Sequence, residues 1–132
     1  VIRGADGEWL FGFGRSIGIC SILLSELWAI HDGLVHTWKC GFRRVIVESD
    51  YGQVVDIFHW NTKALQGAAI VDLVYDLLDR RWEVQVRRVS RQLNMVADCL
   101  ARMMRGKPIG LCIYNTPPSE VIQLVQADLV PD

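Results

Sequence analysis

Residues 41–50 read Gly-Phe-Arg-Arg-Val-Ile-Val-Glu-Ser-Asp, and this stretch decides how the rest of the chain is organised. Gly41 stands where a helix would end, because a residue with no Cβ adopts the left-handed backbone of a C-terminal cap at little strain. Val45-Ile46-Val47 is a short continuous apolar run, the pattern of a strand buried on both faces in an α/β sheet. The run closes on Glu48-Ser49-Asp50, which puts a carboxylate at the carboxyl end of a buried strand, where such sheets collect ligands and metals.

Upstream, residues 21–40 carry a strong helical pattern. Leu24, Leu27, Trp28, His31, Leu34, Val35 and Trp38 fall on one apolar stripe at 100° per residue, and Ser21, Ser25, Asp32, His36 and Lys39 on a polar one. Further upstream, Val1-Ile2-Arg3, Ala5-Asp6-Gly7 and Glu8 to Phe13 read as a hairpin turning on Asp-Gly. Downstream, helices are expected near 51–60, 68–80 and 95–105, with an alternating strand at 82–89. A loop-like segment from Gly106 to Pro118 includes strand-like Leu111 to Tyr114, and Ser119 is expected to cap a last amphipathic turn or two.

The 132 residues suffice for one core and are too few for two ordinary domains. The chain is 51% apolar and 22% charged, a globular composition. No apolar run approaches the roughly 18 residues needed to cross a bilayer, and nothing resembles a secretory leader. Cys20, Cys40, Cys99 and Cys112 are separated by 20, 59 and 13 positions, which excludes CxxC redox and zinc-ribbon spacing and favours reduced thiols inside a cell. A protein of the intracellular space, not secreted, is expected, with nucleus and cytoplasm equally open. His31 reads as a packed core histidine, and His36 and His59 as surface or helix-end residues with no third metal ligand grouped to them. The net charge of −1 conceals an uneven distribution. Residues 80–107 hold Arg80, Arg81, Arg87, Arg88, Arg91, Arg102, Arg105 and Lys107 against Glu83 and Asp98 alone. Such a segment suits phosphate contacts and equally suits solvated helix and strand faces.

Three carboxylates fall in positions that invite explanation. Glu26 lies outside the polar stripe of its helix, with Ile22, Ala29, Ile30 and Gly33 around it. It either reaches water from a tilted helix or is compensated by a partner. Asp50 stands at a strand end, yet with Gln53 it also has the spacing of a helix cap. Asp98 falls in the first turn of a helix, where the dipole alone favours an acid.

Taken together, these stretches resemble the ribonuclease H type 1 family, in particular the reverse-transcriptase-associated ribonuclease H-like domain of plant genomes. The resemblance rests on Gly7-Glu8-Trp9-Leu10, on residues 24–30 (Leu-Ser-Glu-Leu-Trp-Ala-Ile), on residues 41–50, and on residues 94–101 (Asn-Met-Val-Ala-Asp-Cys-Leu-Ala). These run in the family's order. The resemblance implies an α/β (α+β mixed-sheet) ribonuclease H-like fold, a mixed sheet flanked by helices. It implies metal-dependent endonucleolytic hydrolysis of RNA in RNA–DNA hybrids, of retroelement origin. Glu26, Asp50 and Asp98 would be the catalytic metal ligands for two Mg²⁺ ions, with Mn²⁺ as an alternative, and Arg88, Arg91 and Asn94 would contact nucleic acid. The implied partner is an RNA–DNA hybrid or other nucleic acid, with no membrane, and the chain is expected to be a monomer.

Two departures from the family pattern bear on activity. The family's first acid stands on a strand preceding the segment matched by Val1, so the chain is expected to lack the first central strand; Asp6 belongs to a hairpin turn and cannot replace it. The hairpin and the Val45–Val47 strand would then have no shared bonding partner, which favours aggregation. Arg88 stands where the family usually carries a His, and an arginine cannot shuttle a proton near neutral pH. Two other readings therefore stay open, a catalytically inactive nucleic-acid-binding module and a non-functional fragment. The expected division is a ribonuclease H-like domain over 1–105, incomplete at its N-terminus, and a C-terminal tail over 106–132 whose short helix packs on it.

Overall fold

The computed structural model describes residues 1–16, 21–60 and 69–129. They form β1 (Ile2–Arg3), β2 (Trp9–Ser16), α1 (Ile22–Lys39), β3 (Arg44–Ser49), α2 (Gly52–Trp60), α3 (Ala69–Leu78), β4 (Glu83–Arg88), a 3₁₀ turn (Arg91–Asn94), α4 (Met95–Met103), β5 (Gly110–Tyr114), a second 3₁₀ turn (Ser119–Val121) and α5 (Ile122–Leu129). The architecture is α/β, with antiparallel and parallel strands flanked by helices. The chain divides into two compact units, one holding the described residues of 1–18 and 94–132 and the other those of 19–93.

In the first unit β2 is central, antiparallel to β1 on one side and to β5 on the other. The β1–β2 turn is closed by bonds from Gly4 N to Glu8 O and from Gly7 N to Gly4 O, both 3.0 Å. Gly7 has φ +82°, the left-handed conformation that Asp-Gly turns require. Helix α4 lies against β2, and two glycines make room for it. A Cβ at Gly12 would collide with the Trp9 ring and come within 3.2 Å of Leu100, and one at Gly14 would press into Met104. The core joins Val96 and Leu100 of α4 to Val121 and Val125, with Trp9 and Tyr114 packed around it. Residues 106–129 thus supply a strand and a helix to this unit, and an Arg3–Asp128 ion pair at 2.9 Å ties β1 to α5. Lys107 donates to the Tyr114 hydroxyl at 3.2 Å, and that bond holds its ammonium pKa above the ordinary lysine value. The cap expected from Ser119 does not form. Pro118 occupies the N-cap, and the Ser119 hydroxyl donates instead to the Glu120 carboxylate at 3.0 Å.

In the second unit β3 and β4 run parallel in register, from Arg44 opposite Glu83 to Ser49 opposite Arg88. The connection passes through α2 and α3, as parallel neighbours require. Ser21 accepts a hydrogen bond from Leu24 N and caps α1, and Gly41 follows the helix at φ +91°. The core gathers Leu27, Ile30 and Leu34 of α1, Val54 of α2, and Ile70, Val71, Val74 and Leu77 of α3, against Val47 and Val84 of the strands. Each fully buried leucine contributes roughly 2 kcal/mol.

Two expectations for this unit are corrected. Strand β3 is covered on one face only, since Arg44, Ile46 and Glu48 are exposed, Ile46 to 52%. An apolar run shows that a strand can be buried, but not how many of its faces meet a helix. Asp32, assigned to the solvated stripe of α1, is 3% exposed, with the His31 Nδ1 3.2 Å from its carboxylate. His31 lies edge-on to Trp28, with ring centroids 5.4 Å apart. Among the described residues β3 bonds to β4 alone and β1 to β2 alone. Strand β4 also contacts α2, from which the His59 Nε2–H donates to Val86 O at 2.6 Å.

Candidate functional site

The carboxyl end of β3 is where the second unit brings polar groups together. Ser49, the last residue of the strand, is 3% exposed. Its hydroxyl accepts a hydrogen bond from Tyr51 N at 3.1 Å, a turn that redirects the chain into α2. The same hydroxyl donates to Glu26 Oε2 at 3.4 Å. Glu26 is half-buried, so the side that looked uncomfortable in the helical pattern faces the strand end, with Ser49 as a partner. Of the two readings open for Glu26, the compensated one describes its surroundings.

Asp50 follows directly and is half-buried. Its carboxylate is not the cap of α2. In the first turn the N–H groups of Val54 and Val55 bond to Tyr51 O, and Asp50 accepts no hydrogen bond from a described residue. Capping of α2 therefore does not explain an acid at this position. Arg88, opposite Ser49 in the register, reaches the same end. Its guanidinium lies over the first residue of α2, where a Cβ on Gly52 would stand 3.3 Å from Nη1 and 3.4 Å from Cζ. Arg91 follows, exposed, in the 3₁₀ turn.

Asp98 and Asn94 belong to the first unit. Asp98 is in the first turn of α4 and pairs with Arg102 at 2.8 Å, one turn along the same helix. Asn94 stands at the N-cap of α4 without a side-chain capping bond. Among the described residues no three His, Cys, Asp or Glu side chains are gathered closely enough to hold a metal. The donors at this end of the second unit are all oxygens, the Ser49 hydroxyl bonded to Glu26 and the Asp50 carboxylate next in sequence. A hard cation such as Mg²⁺ takes oxygen ligands and uses one or two carboxylates with several waters, so these residues fit it. Sequence reasoning passed over Ser49. The signal available was its position, a hydroxyl three residues before a helix start and one before the acid.

Residues 1–104 match the model of a family described as reverse transcriptase-like. That covers more than half of the chain, and the chain belongs to this ribonuclease H-like family. Among curated proteins it is 29% identical over 129 residues to an Arabidopsis thaliana protein named "Putative ribonuclease H protein". The alignment takes in 97% of this chain and 21% of that protein, so the chain spans about a fifth of its relative's length. No solved structure matches the chain.

Proposed function

We propose that the chain is a nucleic-acid-binding ribonuclease H-type domain of retroelement origin, whose chemistry is metal-dependent endonucleolytic hydrolysis of the RNA strand of an RNA–DNA hybrid. The observation that carries the reading is the carboxyl end of β3, where Ser49 bonds to Glu26 beside an Asp50 carboxylate that no described residue engages. Membership of the reverse transcriptase-like family supports it.

Glu26, Asp50 and Asp98 would hold the divalent cations, Mg²⁺ with Mn²⁺ as the alternative. Bound there, such cations supply an activated water and stabilise the leaving oxygen of an in-line displacement at phosphorus. The residues themselves do the positioning. Ser49 donates to one oxygen of Glu26 and ties that carboxylate to the strand end. The backbone of Asp50 directly follows the hydrogen-bonded end of β3, which fixes where its carboxylate starts from. Arg88 offers a permanent positive charge to phosphate, with Arg91 and Asn94 as further contacts. Hybrid selectivity would come from 2′-hydroxyls on one strand and backbone shape on the other. We further propose that the domain works as a monomer and that residues 106–129 serve it structurally.

The test is Mg²⁺-dependent cleavage of a labelled RNA–DNA hybrid. Asp50→Asn and Glu26→Gln should each abolish it while hybrid binding persists; cleavage that survives Asp50→Asn would overturn the assignment. One observation favours a second reading. Arg88 stands at the Asp50 end and cannot exchange a proton near neutral pH, so the domain could hold hybrid without cutting it. Salt-sensitive binding with no cleavage in Mg²⁺ or Mn²⁺ would select that binding module.

A further inference from the structure

The opposite end of the second unit carries a cluster that the acidic end does not use. Trp38 in the last turn of α1 and Trp82 just before β4 meet edge to face, with centroids 5.1 Å apart. Trp82 is anchored by its indole N–H, which donates to Leu77 O at 2.8 Å. The Arg43 guanidinium lies over the Trp38 ring, 3.6 Å from its centroid, and its Nη1 donates to Trp38 O at 3.0 Å and Phe42 O at 2.9 Å. Arg80 approaches the same ring at 5.1 Å. Lys39, Arg44 and Arg81 adjoin these residues in sequence, and all five cations are exposed. The carboxylates nearby in sequence are Asp79 and Glu83, and Glu83 is paired with Arg44 at 3.5 Å. Lys39 and Arg81 make no ion pair with any described residue.

Two cations over one indole repel each other, and an anion between them relieves that repulsion. Arg43 is pre-organised, because ring stacking and two carbonyl acceptors remove most of its rotamer freedom before any ligand arrives. Its remaining N–H groups stay available. The Trp38 face, in contrast, is already covered by Arg43 and is not free to stack a base. The chemistry offered is therefore phosphate binding without base readout.

The cluster stands at the amino ends of β3 and β4, and Asp50 at the carboxyl end of β3. Six residue steps at about 3.3 Å each separate the two ends by about 20 Å. A nucleic-acid strand advances about 3.4 Å per nucleotide, so about six nucleotides bridge that span. We propose that Lys39, Arg43, Arg44, Arg80 and Arg81, set around the Trp38–Trp82 pair, form a phosphate-backbone platform that holds the continuing length of a nucleic acid engaged at the Asp50 end. The proposal rests on the nucleic-acid reading given above and adds a second contact region to it.

The test compares the wild-type 132-residue chain with Arg80→Gln/Arg81→Gln and Lys39→Gln/Arg44→Gln, none of them in the acidic site. Binding to RNA–DNA hybrids of 5 and 20 base pairs is followed by fluorescence anisotropy across a salt series. Each double variant should weaken 20-base-pair binding by roughly tenfold and lower the slope of log K against log salt by about 2, with little effect on the short hybrid. Circular dichroism on both variants guards against misfolding, and the second pair stands in if the first does not fold. Wild-type binding that both folded variants retain, in affinity and in slope, overturns the platform and leaves the nucleic-acid reading intact. No hybrid binding by the wild-type chain overturns both. An acidic peptide bound more tightly than hybrid at equal salt assigns the face to a protein partner and overturns the platform.

Discussion

At the scale of single residues, Ser49 and Gly52 determine how the acidic end is built. Ser49→Ala removes the donor to Glu26 and the acceptor of Tyr51 N–H at once. A buried side chain with two such bonds should cost about 1–3 kcal/mol when truncated, read as a lower urea midpoint. On the proposed function, cleavage falls further than stability does, because Glu26 loses its anchor. Gly52→Ala probes the other side of the same end. Its new methyl meets the mobile tip of Arg88 rather than backbone, so stability should hold or rise by up to about 1 kcal/mol through helix propensity. Hybrid affinity should fall as the guanidinium is displaced. A large loss of stability would show that Arg88 is fixed more rigidly than a surface arginine.

At the scale of elements, glycine placement and helix registry carry the packing. Gly12 and Gly14 both face α4, but their neighbours differ in compliance. Gly12→Ala meets the rigid Trp9 ring, itself tied by its N–H to Tyr114 O at 3.3 Å. Gly14→Ala meets only the flexible Met104 chain. The first should destabilise by about 1–3 kcal/mol and the second by distinctly less, as measured by thermal melts. Leu27→Ala and Leu34→Ala, each 1% exposed on α1, should cost about 2–5 kcal/mol by opening cavities. Much of this element structure was legible in the sequence. The caps at Ser21 and Gly41, the Asp-Gly turn and the apolar stripe of α1 announce themselves through local chemistry, which needs no partner. Glu26 was legible as an anomaly for the same reason. What local pattern could not reveal was tertiary. Asp32 looks solvated on a helical wheel, yet it is buried, with His31 as one of its partners. Ile46 looks buried, and only the one-sided helix cover of β3 exposes it. Ser49 looked like strand-end punctuation until Glu26, 23 residues away, was found beside it.

At the scale of the whole molecule, strand β3 is the exposed liability. Among the described residues its second edge has no strand partner, and Ile46 adds an apolar side chain to its open face. Such edges pair with other chains. The protein should be monomeric when dilute and should self-associate as concentration rises, seen as a concentration-dependent sedimentation coefficient. Ile46→Lys should suppress this while moving the melting temperature little. A cooperative melt at high concentration, reversible and free of aggregation, would contradict the expectation.

The His59–Val86 bond gives that association a direction. With an imidazole N–H seated on the Val86 carbonyl, one acceptor of β4 is already taken, whereas among the described residues no strand bonds to the second rim of β3. Two molecules joined along their β3 rims would turn their β4 strands outward, each with that acceptor occupied. Adding a further copy there would have to displace the imidazole, which disfavours growth into fibres.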